Sequence, residues 1–253
     1  MPQYVLARHV FVCVQGEHVV FLDVRKDRYF ALESARTAGL GQFVPGWPVA
    51  TPLAVDFVQQ RGSSTAPAFA EQPERGTLSG VIALLLEKGI LKTEAGDGKS
   101  AAPTVSEPLR GDLAGDALDE RPAIGPGILL RFVTCAVRAR LMLKYRTFET
   151  VLERVRRRTD HSQRAARPIA EARMHQLVGA FATLRPFFFA AKDACLFDAL
   201  ALSEFLAAYG VFPRWVFAVQ SRPFAAHCWL QLDGLVLNDT VDHVKRYTPI
   251  MVV

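Results

Sequence analysis

Three side chains in the last quarter of the chain have the types and order of an activated nucleophile: Cys195, His227 and Asp239. The stretch AKDACLFDALALSEFLAAYGV reads as a helix, with apolar residues recurring at i, i+3 and i+4, Asp193 as a candidate N-cap and Gly210 as a candidate C′ residue. That places Cys195 in the first turn, where unpaired N–H groups and the positive end of the dipole stabilise a thiolate, the nucleophilic form of cysteine. A free cysteine is more often an inert buried thiol, so the partners decide.

His227 and Asp239 flank an Asp-Gly turn in AAHCWLQLDGLVLND. A two-residue loop, Asp233-Gly234, pairs Leu232 with Leu235 and sets His227 and Asp239 on opposite faces. A three-residue loop with Gly234 as a left-handed bulge pairs Gln231 with Leu235 and brings His227 opposite Asp239, with β-carbons ~4.5–5.5 Å apart. A base held by a carboxylate requires the second register, which is the one expected. Competing bases are weaker: His9 and His18 fall in the first half, His161 in a polar stretch and His175 on a helix without an obvious partner. His243, after Asp242, is a reserve candidate.

The elements that must position these residues make an α+β chain. Residues 5 to 32 carry three strand-like runs, HVFVCV, EHVVFLDV and DRYFAL, separated by QGE and RKD turns. Short helical candidates follow at Ser34–Phe43 and Val55–Arg61, then a helix running to Lys88, closed by Gly89 before a short ILK strand. Residues 1–93 therefore read as a small winged-helix-like domain. Residues 94–127, rich in Gly, Ala, Pro, Ser and acids, read as a flexible linker, and 128–253 as a second domain. That domain opens with helices over Ile128–Tyr145, TFETVLERVRRR and Ile169–Leu184. The arginines at 154 and 156–158 are expected on a solvated helix end.

With 253 residues, half of them hydrophobic, the chain can bury a substantial core. Four scattered cysteines form neither a C-x-x-C pair nor a zinc spacing, so reduced thiols and no metal are expected. The net charge of +5 is spread out, without a nucleic-acid recognition motif. No signal peptide or membrane span is apparent, which points to a cytoplasmic protein without membrane partners. GDGKS is half of a phosphate loop, but Thr93 stands where the first glycine is required.

Cys–His–Asp on helix, strand and strand resembles transglutaminase-like, papain-type cysteine protease folds. Within them, Cys195-Leu196, Pro223-Phe224-Ala225-Ala226-His227-Cys228-Trp229 and Val236-Leu237-Asn238-Asp239, at spacings of 32 and 12 residues, resemble the B proteins of lasso-peptide biosynthesis. The first half, through DVRKDRYFAL, is similar to the RiPP recognition element of those pathways. The resemblance implies a leader peptidase with Cys195, His227 and Asp239 as its catalytic residues. It implies that a precursor leader adds as a strand to Arg28, Tyr29, Phe30, Ala31 and Leu32 and rests on the helix of Val81 and Leu85. No cofactor is expected on this chain, and ATP is expected to serve a partner cyclase. The Cys195 backbone N–H is one expected oxyanion donor, and the second is left between Trp229 Nε1 and a nearby backbone amide. An acyltransferase or transglutaminase, and a non-catalytic peptide chaperone, are the alternatives.

Overall fold

The structure is a computed structural model that describes residues 3–48, 77–93, 98–113, 122, 124–163, 171–188 and 195–253. It divides into two units, one of residues 1–105 with 219–226 and 248–251, the other of 106–218 with 227–247 and 252–253. The Val55–Arg61 helix candidate lies outside the described residues.

In the first unit, β2 (Val10–Gln15), β3 (His18–Asp23) and β4 (Arg28–Glu33) form an antiparallel meander. Gly16 supplies the positive φ of the first turn, and Asp23 Oδ1 accepts the Arg25 and Lys26 N–H groups in the second. A second sheet sets β1 (Val5–Ala7) between β5 (Leu91–Lys92) and β6 (Gly98–Lys99). The helix α1 (Ser34–Thr37) continues into a 3-10 turn, Ala38–Gln42. Thr77 caps α2 (Leu78–Glu87), and Gly89 ends it with a φ of +71°. Val10, Val12, Val19, Phe21, Leu40, Trp47, Val81 and Leu85 fill one core.

Two expectations are revised here. Val81 and Leu85, expected on the peptide-binding face, are 3% and 0% exposed: helical spacing turns that stripe to the core and leaves Ile82 and Leu86 half-buried beside it. Within the stretch expected as a flexible linker, Gly98–Lys99 pairs with β1, and β7 (Gly111–Asp112) pairs in parallel with Leu235–Val236. Its described residues 98–113 thus include two short strands. Gly98 and Lys99 of GDGKS lie in one of them, and a Cβ on Gly98 would meet Val5 at 2.2 Å, so close strand pairing explains this glycine.

The second unit packs α3 (Pro126–Tyr145), α4 (Phe148–Gln163) and α5 (Glu171–Leu184) around α6 (Cys195–Ala207). Every residue of α6 from Asp198 to Leu206 is buried, as expected of a helix apolar nearly all round. Its charged Glu204 is tied to Arg158 at 2.6 Å and Arg138 at 3.2 Å. A five-stranded sheet has the order β11-β8-β9-β10-β7, from β8 (Arg214–Ser221), β9 (Phe224–Leu232), β10 (Leu235–Val236) and β11 (Thr248–Val252). A short helix, α7 (Val241–Val244), lies between the last two strands. Neither α7 nor β11 was expected from the sequence. Among the described residues no helix is long and apolar enough to cross a membrane.

Candidate active site

The hairpin adopts the register that the sequence reading set aside. Leu232 pairs with Leu235 and Gln231 with Val236, with Asp233 at φ +50° and Gly234 at φ +81°. Two positive φ values make the loop a type I′ turn, whose twist matches the flanking strands, so the bulged three-residue loop is overturned. Gly234 is required twice over, since a Cβ there would lie 2.6 Å from the Pro108 carbonyl.

Asp239 nevertheless reaches His227, because the ladder stops. Leu237 N–H still donates to the Leu230 carbonyl at 2.9 Å, but Leu230 N–H donates to the Asn238 side chain, also at 2.9 Å, in place of a main-chain acceptor. From there the backbone leaves the sheet, and Asp239 Oδ2 meets His227 Nε2 at 2.5 Å. Continued in register, Cys228 would face Asp239, and its N–H would bond to that residue's carbonyl. With the ladder ended, the Cys228 N–H donates to the Cys195 sulfur instead.

Cys195 opens α6, as its place in the first turn required, whereas the candidate cap Asp193 lies outside the described residues. Its sulfur accepts hydrogen bonds from the Cys228 thiol, from His227 and from the Cys228 backbone. The Cys228 thiol contributes most; together these donors and the imidazolium charge outweigh burial and bring the Cys195 thiol down to about 4. For His227, burial opposes protonation, but hydrogen bonds to Asp239 and Cys195 and their negative charges prevail and raise it to about 9. Cys228 is driven the other way, well above the ordinary thiol range, by burial and then by its thiolate neighbour. The resting pair at neutral pH is therefore thiolate and imidazolium, with Cys228 a neutral donor.

Asp239 is held below the usual carboxylate range: burial works against this, but bonds from His227, His243 and the Thr240 N–H outweigh it. His243 Nδ1 lies 2.8 Å from the same Oδ2 that His227 contacts. The reserve candidate is thus a second partner of Asp239 rather than a base beside the thiol. Trp229 stacks near the His227 ring at 6.1 Å, and Tyr247 packs against it at 5.2 Å. Trp229 Nε1 already donates to Gln231 Oε1 at 3.2 Å in a buried position, which removes it as an oxyanion donor. His175 lies on α5 and His161 on α4, while His9 and His18 belong to the first unit.

His227, Asp239 and His243 also form a cluster of metal-ligand types, with donor atoms within 4.8 Å of one another. Two ligands of one tetrahedral zinc, each at about 2.0–2.1 Å, lie about 3.3 Å apart. The 2.5 Å between His227 and Asp239 and the 2.8 Å between His243 and Asp239 are hydrogen-bond distances, so the cluster reads as two imidazoles on one carboxylate.

Sequence reasoning missed Cys228, Tyr247 and Asp198. Cys228 and Asp198 carried a signal, being adjacent to His227 and one helical turn from Cys195, but neither type at that spacing announces its role.

Residues 135–252 match the family model of the transglutaminase-like superfamily. Neither the curated proteins nor the solved structures compared with the chain returned a match. The C-terminal part is thus a transglutaminase-like domain, of a superfamily whose members are typically cysteine-dependent enzymes.

Proposed function

We propose that the chain is the leader peptidase of lasso-peptide maturation, in which Cys195, His227 and Asp239 cleave a precursor at its leader–core junction. The observation that carries this reading is the hydrogen-bonded run Cys195–His227–Asp239, with the thiol at about 4 and the imidazole at about 9. The thiolate attacks the junction carbonyl. Unpaired N–H groups at the start of α6 and the Cys228 N–H are the donors for the oxyanion. His227 gives its proton from Nδ1 to the leaving amine, which departs as the free α-amine of the core. Now neutral, His227 takes a proton from water, whose oxygen attacks the thioester and frees the leader carboxylate. A separate ATP-dependent cyclase then joins the core amine to a side-chain carboxyl.

Leader capture belongs to the first unit. Among the described residues β4 pairs only with β3, so its other edge is open for a leader strand along Arg28–Leu32. The half-buried Ile82 and Leu86, rather than Val81 and Leu85, are the α2 side chains that a docked strand would meet. Holding both substrate ends on one chain raises the junction's effective concentration at the thiolate.

The transglutaminase-like match favours a second reading, acyl transfer from the thioester to an amine rather than to water. Mass spectrometry of a synthetic leader–core peptide incubated with the wild type and with Cys195→Ala separates the outcomes. A leader acid released by the wild type alone supports the peptidase. A new amide on the leader indicates acyl transfer, and an intact, bound precursor in both samples rejects both readings in favour of a peptide chaperone.

A further inference from the structure

One turn along α6 from Cys195, the carboxylate of Asp198 is 3% exposed and takes no part in the chemistry above. Burial raises it above the usual carboxylate range, against the pull of Asn238 and Arg185. Its Oδ2 accepts from Asn238 Nδ2 at 2.9 Å, and Arg185 Nη1 lies 3.4 and 3.3 Å from its two oxygens. Asn238 uses its other end, Oδ1, to accept the Leu230 N–H. The residue after Asn238 is Asp239, at the point where the chain leaves the ladder. One buried carboxylate thus links the first turn of the thiol-bearing helix to the segment that delivers the carboxylate of the triad. A buried charge is costly unless paired, and buried apolar Ala199, Leu200 and Leu202 follow it in the sequence, so packing alone gives no reason for an acid here.

We propose that Asp198 is a positioning residue. Through Asn238 it fixes the Asp239 segment against the start of α6, so that His227 is held between Asp239 and Cys195. The inference rests on the thiolate–imidazolium pair of the preceding reading, but not on any peptide substrate.

The test reads Cys195 itself, in the full chain, as the rate of alkylation by iodoacetamide against pH, with Cys195→Ala as background. Among the described residues, the titratable and charged groups about the sulfur are Asp198 on its own helix, His227 and Cys228 on β9, Asp239 with His243 beyond it, and Tyr247. Asp198 and the thiolate repel, so a role through charge alone makes Asp198→Ala lower the alkylation inflexion. Positioning makes the opposite prediction. Asp198→Ala and Asn238→Ala both raise the inflexion by about one unit or more, a loss of rate of about tenfold or more at a pH well below both inflexions. Asp198→Asn, which keeps an oxygen for Asn238, recovers most of that loss.

A lower or unmoved inflexion in folded Asp198→Ala and Asn238→Ala, or no recovery in Asp198→Asn, overturns the proposal. Asn238→Ala decides alone should Asp198→Ala fail to fold, since Asn238 is only half-buried. The failure of the peptidase reading looks different: a wild type that alkylates as a thiolate at low pH yet cleaves no precursor leaves Asp198 in its role.

Discussion

Replacing Asp239 by Asn removes one negative charge and little else, since the amide has nearly the same shape. In the wild type the imidazolium of His227 is stabilised by Asp239 and by the Cys195 thiolate, which together carry it to about 9 against burial. Without the Asp239 charge we expect His227 to fall back to about 6.5 or lower, the range of an unperturbed imidazole. At pH 8 the protonated fraction then drops from about 90% to about 3%, a ~30-fold loss, while at pH 5.5 it barely alters. Superimposed is a pH-independent loss of up to about 10⁴ in kcat from poorer orientation and stabilisation of the imidazolium, the size of the loss on the same change in a serine protease triad. The assay is the initial rate of junction cleavage from pH 4 to 10, with the His227 ring followed by NMR to read its protonation without substrate. The distinguishing result is the shape: the alkaline limb moves down by about two units or more while the acid limb stays near that of the thiol. An alkaline limb still near 9 in a folded Asp239→Asn protein would refute the assignment of Asp239 as the group that holds the proton on His227.

The remaining predictions concern neighbours of the pair. In the wild type, activity should plateau between about 4, below which the thiolate is protonated, and about 9, above which His227 has no proton to give. Cys228→Ala should raise the lower limit, because its thiol is the largest contributor to the acidity of Cys195; alkylation against pH would show it, and an unmoved inflexion would reject that donor. His243→Phe removes a second donor from Asp239 Oδ2 and should slow cleavage by about tenfold or less; a loss as large as that of Asp239→Asn would mean His243 acts on the substrate directly. Gly234→Ala should cost about 1–3 kcal/mol by strain at φ +81° and contact with Pro108, read as a lower thermal midpoint. Leu86→Lys should weaken leader binding in a folded protein, whereas Leu85→Ala should act through stability, at about 2–5 kcal/mol, because its side chain is in the core. Fluorescence anisotropy of a labelled leader and thermal melts together separate the two.

The helix-start position of Cys195 was legible because it depends on local rules, an apolar repeat with a stop at Gly210. The meander of the first unit was legible for the same reason, with positive φ at Gly16 and Asp27 where turns were expected. The way His227 meets Asp239 was not. Turn chemistry allowed two registers, and the one chosen for its chemistry lost to the better twist of the type I′ turn. What allows the contact is the end of the ladder at Leu230, whose N–H is taken by the Asn238 side chain; Asn238 in turn bonds Asp198, 40 residues away, and no pattern within a window of sequence contains that link. Val81 and Leu85 were misplaced for a related reason: the helix was recognised, but which of its faces turns inward depends on the sheet beneath.

The early end of β10 has an implication for anyone seeking a hardier variant of this chain. A routine way to stabilise a hairpin is to regularise its ladder, adding main-chain bonds until both strands run their full length. Here such a repair would draw the Cys228 N–H onto the backbone of residue 239 and away from the sulfur, and would turn Asp239 from the imidazole. Resistance to heat and acidity of the thiol are therefore set against each other at this one break in the sheet. Screens for thermostable variants should find substitutions in 237–240 that melt later and alkylate more slowly.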